Sequence, residues 1–219
     1  MKNILTGKTQ EHLIVDPESN LLIHREVLPH LQNLRSAAKF KGFSLQLTSA
    51  FRGFDQQLSI WNAKALGLRT LYNDQGVALN YNELSPTEVV YAILRWSALP
   101  GASRHHWGTD MDVYDKSKLP EGYQVQLLPQ ESEPGGVFEK FHLWLDDNLE
   151  DFNFYRPYAA DLGGIAPEKW HISFAPISKS YQEALTYDLV EETIMSSEIE
   201  LKSIILRELP EIYQRFISI

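Results

Sequence analysis

Ser103-Arg104-His105-His106-Trp107-Gly108-Thr109-Asp110-Met111-Asp112-Val113-Tyr114-Asp115 is the stretch that decides how the chain is read. It places two histidines, one glycine and three aspartates in one short segment. Gly108 permits a tight bend, and Thr109 to Tyr114 beyond it has the residue mix of a short strand. A loop therefore feeds a strand. In that strand Asp110 and Asp112 point to one face, and Met111 and Val113 to the other. Carboxylates held in an interior are costly unless paired or bound to a metal. A histidine and an aspartate on one face suit a borderline metal such as zinc. They make half a site, so a further ligand must come from elsewhere in the chain.

The second half is expected at Pro167-Glu168-Lys169-Trp170-His171-Ile172-Ser173-Phe174. Trp170, Ile172 and Phe174 alternate with His171 and Ser173, which predicts a strand with one apolar face. His171 projects from its polar face. Glu168 precedes the strand and can sit beside the metal without ligating it. Three protein ligands plus a water is the arrangement of a catalytic zinc, whereas a structural zinc is closed by four. A nearby glutamate that is not a ligand is what such a water needs as general base.

Ser103-x-His105-x-x-Gly108-x-x-x-Asp112, followed by Glu168-x-x-His171, resembles the signature of the zinc D-alanyl-D-alanine carboxypeptidase and dipeptidase family. This family includes the vancomycin-resistance peptidases and some phage endolysin peptidases, and shares its fold with the hedgehog signalling domain. The resemblance runs from about Leu47 to Phe174. It implies an α+β fold, a small antiparallel sheet flanked by helices, with Zn2+ as cofactor. It further implies His105, Asp112 and His171 as zinc ligands and Glu168 as catalytic base. Ser49-Ala50-Phe51-Arg52-Gly53-Phe54-Asp55-Gln56-Gln57 resembles the family's Ser-Gly-Tyr-Arg-Ser segment. That likeness implies that Arg52 faces the substrate with Gln57 on the same side. Read without the family, Arg52 forms a surface ion pair with Asp55. One departure stands out: the family has a small residue two before the ligand aspartate, and here it is Asp110. Asp110 is either a partner behind the ligands or itself the ligand; the spacing favours Asp112.

With 219 residues, of which 43% are hydrophobic and 11% aromatic, the chain suffices for one domain with a sizeable core. The expectation is a single domain over 1–219, with a core at about 25–178 and a helical C-terminal extension at about 179–219. The absence of cysteine removes disulfides, thiol catalysis and cysteine metal sites. A net charge of -9 argues against nucleic acid and against docking on anionic membranes. No apolar run is long enough for a membrane span. The N-terminus lacks the apolar core of a signal peptide, so the chain as written starts in the cytoplasm. A family acting on cell-wall peptides works outside it, which leaves periplasmic or extracellular action open.

Along the chain, His12 to Asp16 is expected as an edge strand or arm. Glu26 to Lys41 is expected as a helix with Pro29 in its first turn, and Phe43 to Ser49 as a half-buried strand. Asp55 to Leu66 reads as a helix, and Ser85-Pro86-Thr87-Glu88 as a capping box that opens another, reaching about Trp96. Tyr123 to Leu128 is read as a strand, Pro129 to Gly136 as a mobile loop, and Val137 to Leu149 as a helix. Phe152 to Gly164 is a candidate pocket wall. The C-terminal stretch reads as helical, solvated and acidic at Asp188 to Glu200, and broken at Pro210, serving for packing or as a dimer contact. Oligomeric state is open. His12, His24, His30 and His142 read as structural, His106 as a non-ligand, and Trp107 and Trp170 as packing residues.

The site residues point to metal-assisted amide hydrolysis, and the family resemblance implies its substrate: a peptidoglycan-type peptide from which a terminal D-Ala is removed. Arg52 would hold the oxyanion or the substrate carboxylate, and Ser103 would bond the substrate backbone. A D-Ala-D-Ala dipeptidase, an L-Ala-D-Glu endopeptidase and a zinc-containing peptide-binding module without turnover are the competing readings. The pairing of Glu168 with Arg52 favours an enzyme.

Overall fold

The computed structural model describes residues 1–218. Its first half contains α1 (Lys2–Leu5), β1 (Leu13–Val15), β2 (Leu22–His24), α2 (Val27–Phe40), β3 (Leu45–Ser49), α3 (Phe54–Ala65) and α4 (Pro86–Trp96). Its second half contains β4 (Asp110–Asp115), α5 (Pro129–Ser132), α6 (Glu139–Asn148), β5 (Phe154–Tyr155) and β6 (His171–Phe174). The C-terminal helices are α7 (Ala175–Ala184), α8 (Tyr187–Met195) and α9 (Lys202–Ile212). No helix among the described residues is long and apolar enough to cross a membrane.

The main sheet is antiparallel throughout, in the order β3-β4-β6-β5. Period-two alternation sends Leu45, Leu47, Met111, Val113, Ile172 and Phe174 into one core. Leu31 and Leu34 of α2 and Phe141 and Leu145 of α6, recurring at helical spacing, fill the same core. Each fully buried side chain of this kind contributes roughly 1.5–3 kcal/mol. The alternation leaves Asp110, Asp112, His171 and Ser173 on the opposite face.

A second core gathers Trp61 of α3, Val90 and Ile93 of α4, Trp107, Ile194 of α8, and Ile205 and Leu209 of α9. The C-terminal helices thus pack against α3 and α4. The expected break at Pro210 does not occur: α9 runs through it to Ile212 and widens into a π-turn at Tyr213–Ile217. Proline removes one helical donor, but Ile205, Leu209, Ile212 and Phe216 are all buried along this segment and hold it in place.

Two further expectations are corrected. Tyr123 to Leu128 forms no strand. The Glu131 carboxylate accepts from Gln126 N at 2.9 Å and Leu128 N at 3.2 Å, so a side chain replaces the ladder partner these amides would need. Pro129 to Gly136, read as a mobile loop, opens with α5, where Pro129 stands in the first helical position. By contrast, the capping box at Ser85 and Glu88 is formed in both directions.

β1 and β2 make a hairpin with Leu13 opposite His24. Asp16 at its end is fastened to α2: Arg35 Nη1 and Nη2 each donate to one oxygen of its carboxylate at 2.7 Å, in a buried pair. Burial alone would raise the Asp16 pKa, but the hydrogen bonds from Arg35 and Ser19 override it and hold it at about 2, below the ordinary 3.8. A carboxylate depressed in this way stabilises the fold above its unfolded value and loses that contribution as pH falls toward 2. Arg35→Ala leaves a buried charge unpaired, at a cost of about 3–5 kcal/mol. Thermal melts should show a large loss at pH 7 that narrows between about pH 4 and pH 2. Equal melting temperatures at pH 7 would overturn this role.

Candidate metal centre

Strand register builds the site. Asp112 lies directly opposite His171 across β4 and β6. The pairing of β3 with β4 shifts between Leu47 and Ser49, which sets Ser49 opposite Asp112 and bends the strand end from which Arg52 departs. His105 comes from a 3-10 turn, Arg104–Trp107, closed by Gly108 at φ 67. A Cβ at Gly108 would meet Leu13 Cδ2 at 2.5 Å and His24 N at 2.9 Å, so the hairpin β1-β2 lies too close for any other residue.

Hydrogen bonds set which histidine nitrogens face the cluster. His105 Nδ1 donates to Ala50 O at 2.8 Å, since a carbonyl can only accept, which leaves Nε2 at 3.6 Å from Asp112 Oδ2. His171 Nε2 donates to Asp110 Oδ1 at 3.0 Å, leaving Nδ1 at 3.4 Å from Asp112 Oδ1. One ligand atom from each of His105, Asp112 and His171 lies within 4.8 Å of the others. Asp112 Oδ1 and His171 Nδ1 are buried and have no hydrogen-bond partner among the described residues. An orphaned buried acceptor costs about 1–3 kcal/mol. A cation taking two imidazoles and a carboxylate would satisfy both atoms, and this donor set suits zinc.

Asp110 is committed elsewhere. Besides His171, it accepts from Arg104 Nε and Thr109 Oγ, each at 2.7 Å. It therefore stands behind His171 rather than beside Asp112, in the position of a carboxylate that orients a histidine ligand. Arg104 also donates to Gln182, to the Tyr155 hydroxyl and to Ser173, tying the cluster to α7. Burial would lower its pKa, but the Asp110 charge raises it further.

Glu168 Oε2 is 3.5 Å from His171 Nδ1, beside the three-residue set and not part of it. Burial raises its pKa; His171 and Arg52 oppose that, and the Asp112 charge adds to it. Glu168 is thereby a stronger proton acceptor than an exposed glutamate. Burial pushes His105 down to about 4, against the pull of Asp112. Burial would lower His171 too, but Asp110, Asp112 and Glu168 hold it well above its ordinary value, so a cation taken at Nδ1 would displace a proton from that nitrogen.

Arg52 reaches the pocket that His105, Asp112, Glu168 and His171 line. Among the described residues it forms no ion pair, so the surface pairing with Asp55 is not made. Its guanidinium donates to Gln57 Oε1 at 2.9 Å and Ser49 Oγ at 3.3 Å. Gln57 is fully buried; its amide donates to Ala98 O at 2.7 Å, so it backs Arg52 instead of lining the pocket. His106 turns away from the cluster. Its Nδ1 donates to Arg52 O at 2.6 Å and its Nε2 accepts from Gly101 N at 3.0 Å, which anchors the Arg52 backbone. Ser103 and Trp170 line the pocket, while Trp107 is core, its indole N–H on Leu5 O.

Lys64, Arg104 and Tyr158 are among the pocket residues that the sequence did not single out for a site role. The Tyr158 ring stands edge-on to His171, 4.9 Å between centroids, within the segment expected as a wall. Lys64 had a signal, since it lies seven residues after Gln57 on one helix face. Arg104 had none, because its partner Asp110 is chosen by the intervening turn.

Known proteins resemble this chain in sequence or in fold. A protein of Haemophilus influenzae without an ascribed activity is 42% identical over 99 residues, covering 44% of this chain and 68% of the relative. VanYB in complex with D-alanine-D-alanine superposes with a TM-score of 0.55 at 20% identity, covering 85% of this chain and 89% of that one. A mutant of the vancomycin-resistance D,D-pentapeptidase VanY in complex with Zn(II) gives 0.54 at 21% identity, covering 84% and 91%. These structural likenesses concern the fold. The family profile of VanY, D-alanyl-D-alanine carboxypeptidase, matches residues 20–177, which span β2, the whole main sheet and every side chain of the cluster, and by that match the chain belongs to the VanY peptidase family.

Proposed function

We propose that the protein is a zinc-dependent D-alanyl-D-alanine carboxypeptidase that hydrolyses the terminal D-Ala of peptidoglycan-type peptides. The observation that carries this reading is the buried trio His105, Asp112 and His171, with Glu168 beside it and Arg52 in the same pocket. VanYB, which shares the fold, is seen with D-alanine-D-alanine, and a VanY mutant with zinc; both support the substrate and the metal.

His105 through Nε2, His171 through Nδ1 and the Asp112 carboxylate would hold the ion. When bound, zinc lowers the pKa of a coordinated water from about 15.7 toward roughly 7 and polarises a carbonyl. Glu168 takes the proton of the attacking water and passes it to the amine that leaves as D-Ala. Arg52, held by Gln57 and Ser49, donates to the oxygen on which negative charge builds. Ser103 bonds the peptide backbone at the pocket wall. Asp110 and Arg104 keep the His171 ring in the tautomer that presents Nδ1.

Incubation with a peptide ending in D-Ala-D-Ala should release D-Ala, stop with a chelator and resume with added zinc. Release of the intact dipeptide would make the protein a dipeptidase. No release from a zinc-loaded protein would leave a binding module. Elemental analysis should find one zinc per chain. Unchanged zinc content in a His105→Ala, His171→Ala double variant would overturn the site.

A further inference from the structure

Lys64 is a cation that the proposed reaction does not use. It lies on the last turn of α3, and its side chain lines the same pocket as Arg52, Ser103 and Glu168. Its Nζ donates to Ser97 Oγ at 2.7 Å and forms no ion pair among the described residues. An ammonium carries three donors, so two remain. Burial, together with the charges of Arg69 and Arg52, lowers its pKa to about 8, and Glu168 opposes them. A half-buried cation without a counter-charge is unfavourable. A lysine stem is long enough to carry its head to water, yet this one turns inward to a neutral hydroxyl at the end of α4. Arg52, by contrast, faces the carboxylates of the cluster: burial lowers its pKa, while Asp112 and Glu168 raise it. The two cations therefore divide the pocket, one at the reacting carbonyl and one on the Ser97 side.

We propose that Lys64 is a specificity-determining anchor for the free C-terminal carboxylate of the substrate peptide, with Ser97 holding the ammonium in place and Arg52 left to the scissile carbonyl. The inference rests on the peptidase reading and deepens it by naming the side chain that reads the free terminal carboxylate such a substrate carries. Two ammonium donors meet the two carboxylate oxygens, and the third stays on Ser97. The apolar lining from Trp96, Ile165 and Trp170 receives small side chains and strengthens the charge pair by excluding water.

The test is equilibrium binding to the zinc-loaded protein carrying Glu168→Gln, so that the probe is not consumed. The probes are Nα-acetyl-D-Ala-D-Ala and its C-terminal carboxamide. With Lys64 present, the acid should bind about ten- to a hundredfold more tightly than the amide, as for a hydrogen-bonded charge pair. Lys64→Met should abolish that preference while leaving amide binding unchanged, and Lys64→Arg should retain it. Lys64→Gln repeats the test should the methionine variant melt early. An acid-to-amide ratio equal in Lys64 and Lys64→Met proteins overturns the anchor alone, provided the wild type releases D-Ala. If neither probe binds and the wild type releases no D-Ala, the peptidase reading falls and the anchor with it.

Discussion

Glu168→Gln is expected to reduce turnover of a D-Ala-ended peptide by about a hundred- to ten-thousand-fold while leaving zinc content unchanged. The chemistry is specific. Gln keeps the size and can still hydrogen-bond a water, but it cannot accept a proton. The environment suits a base, because burial and the Asp112 charge raise the Glu168 pKa. The metal should stay because His105, Asp112 and His171 form the cluster without Glu168. The fold should stay because the change is nearly isosteric. Its backbone role is untouched as well: Glu168 N donates to Tyr158 O at 3.0 Å, and its carbonyl accepts from His171 N at 3.1 Å. Single-turnover rates with elemental analysis on the same sample decide the matter. Wild-type turnover would mean that Glu168 is not the base, and loss of zinc would mean that it is a ligand.

The second large effect separates two aspartates on one strand face. Asp112→Ala should lose the metal, because Asp112 Oδ1 is an orphaned atom aimed at the cluster. Asp110→Asn should keep it, with affinity lowered about ten- to a hundredfold, as for other carboxylates behind a histidine ligand. Asn keeps the shape but loses the charge that orients His171 and pairs with Arg104. Asp110→Ala is a harsher change, because Arg104 becomes a buried charge without its partner; a destabilisation of about 3–5 kcal/mol is expected. Competition with a chromogenic chelator gives the affinities, and thermal melts give the stability. If Asp110→Asn loses zinc and Asp112→Ala retains it, the ligand moves by two residues and Asp112 becomes the supporting group.

What the sequence determined by itself is local. The bend at Gly108, the alternation of Asp110 and Asp112 against Met111 and Val113, and the strand holding His171 follow from side-chain period and backbone freedom, and the structure places them as read. The helical spacing of Leu31 and Leu34 and the capping box at Ser85 were legible for the same reason: each depends on residues within a turn or two. The strand expected at Tyr123 to Leu128 was not, because a strand needs a partner edge, and the Glu131 carboxylate took its amides first. The tertiary structure alone decided the rest. Only the β4-β6 register sets Asp112 against His171. Only the fold of the turn brings Arg104 onto Asp110, which settles that aspartate behind His171 and away from the cluster. Only the packing of α3 against the end of α4 turns Lys64 inward to Ser97 and draws Gln57 beneath Arg52. Each of these pairings joins segments whose meeting depends on the burial of two separate cores, and no spacing along the chain encodes that.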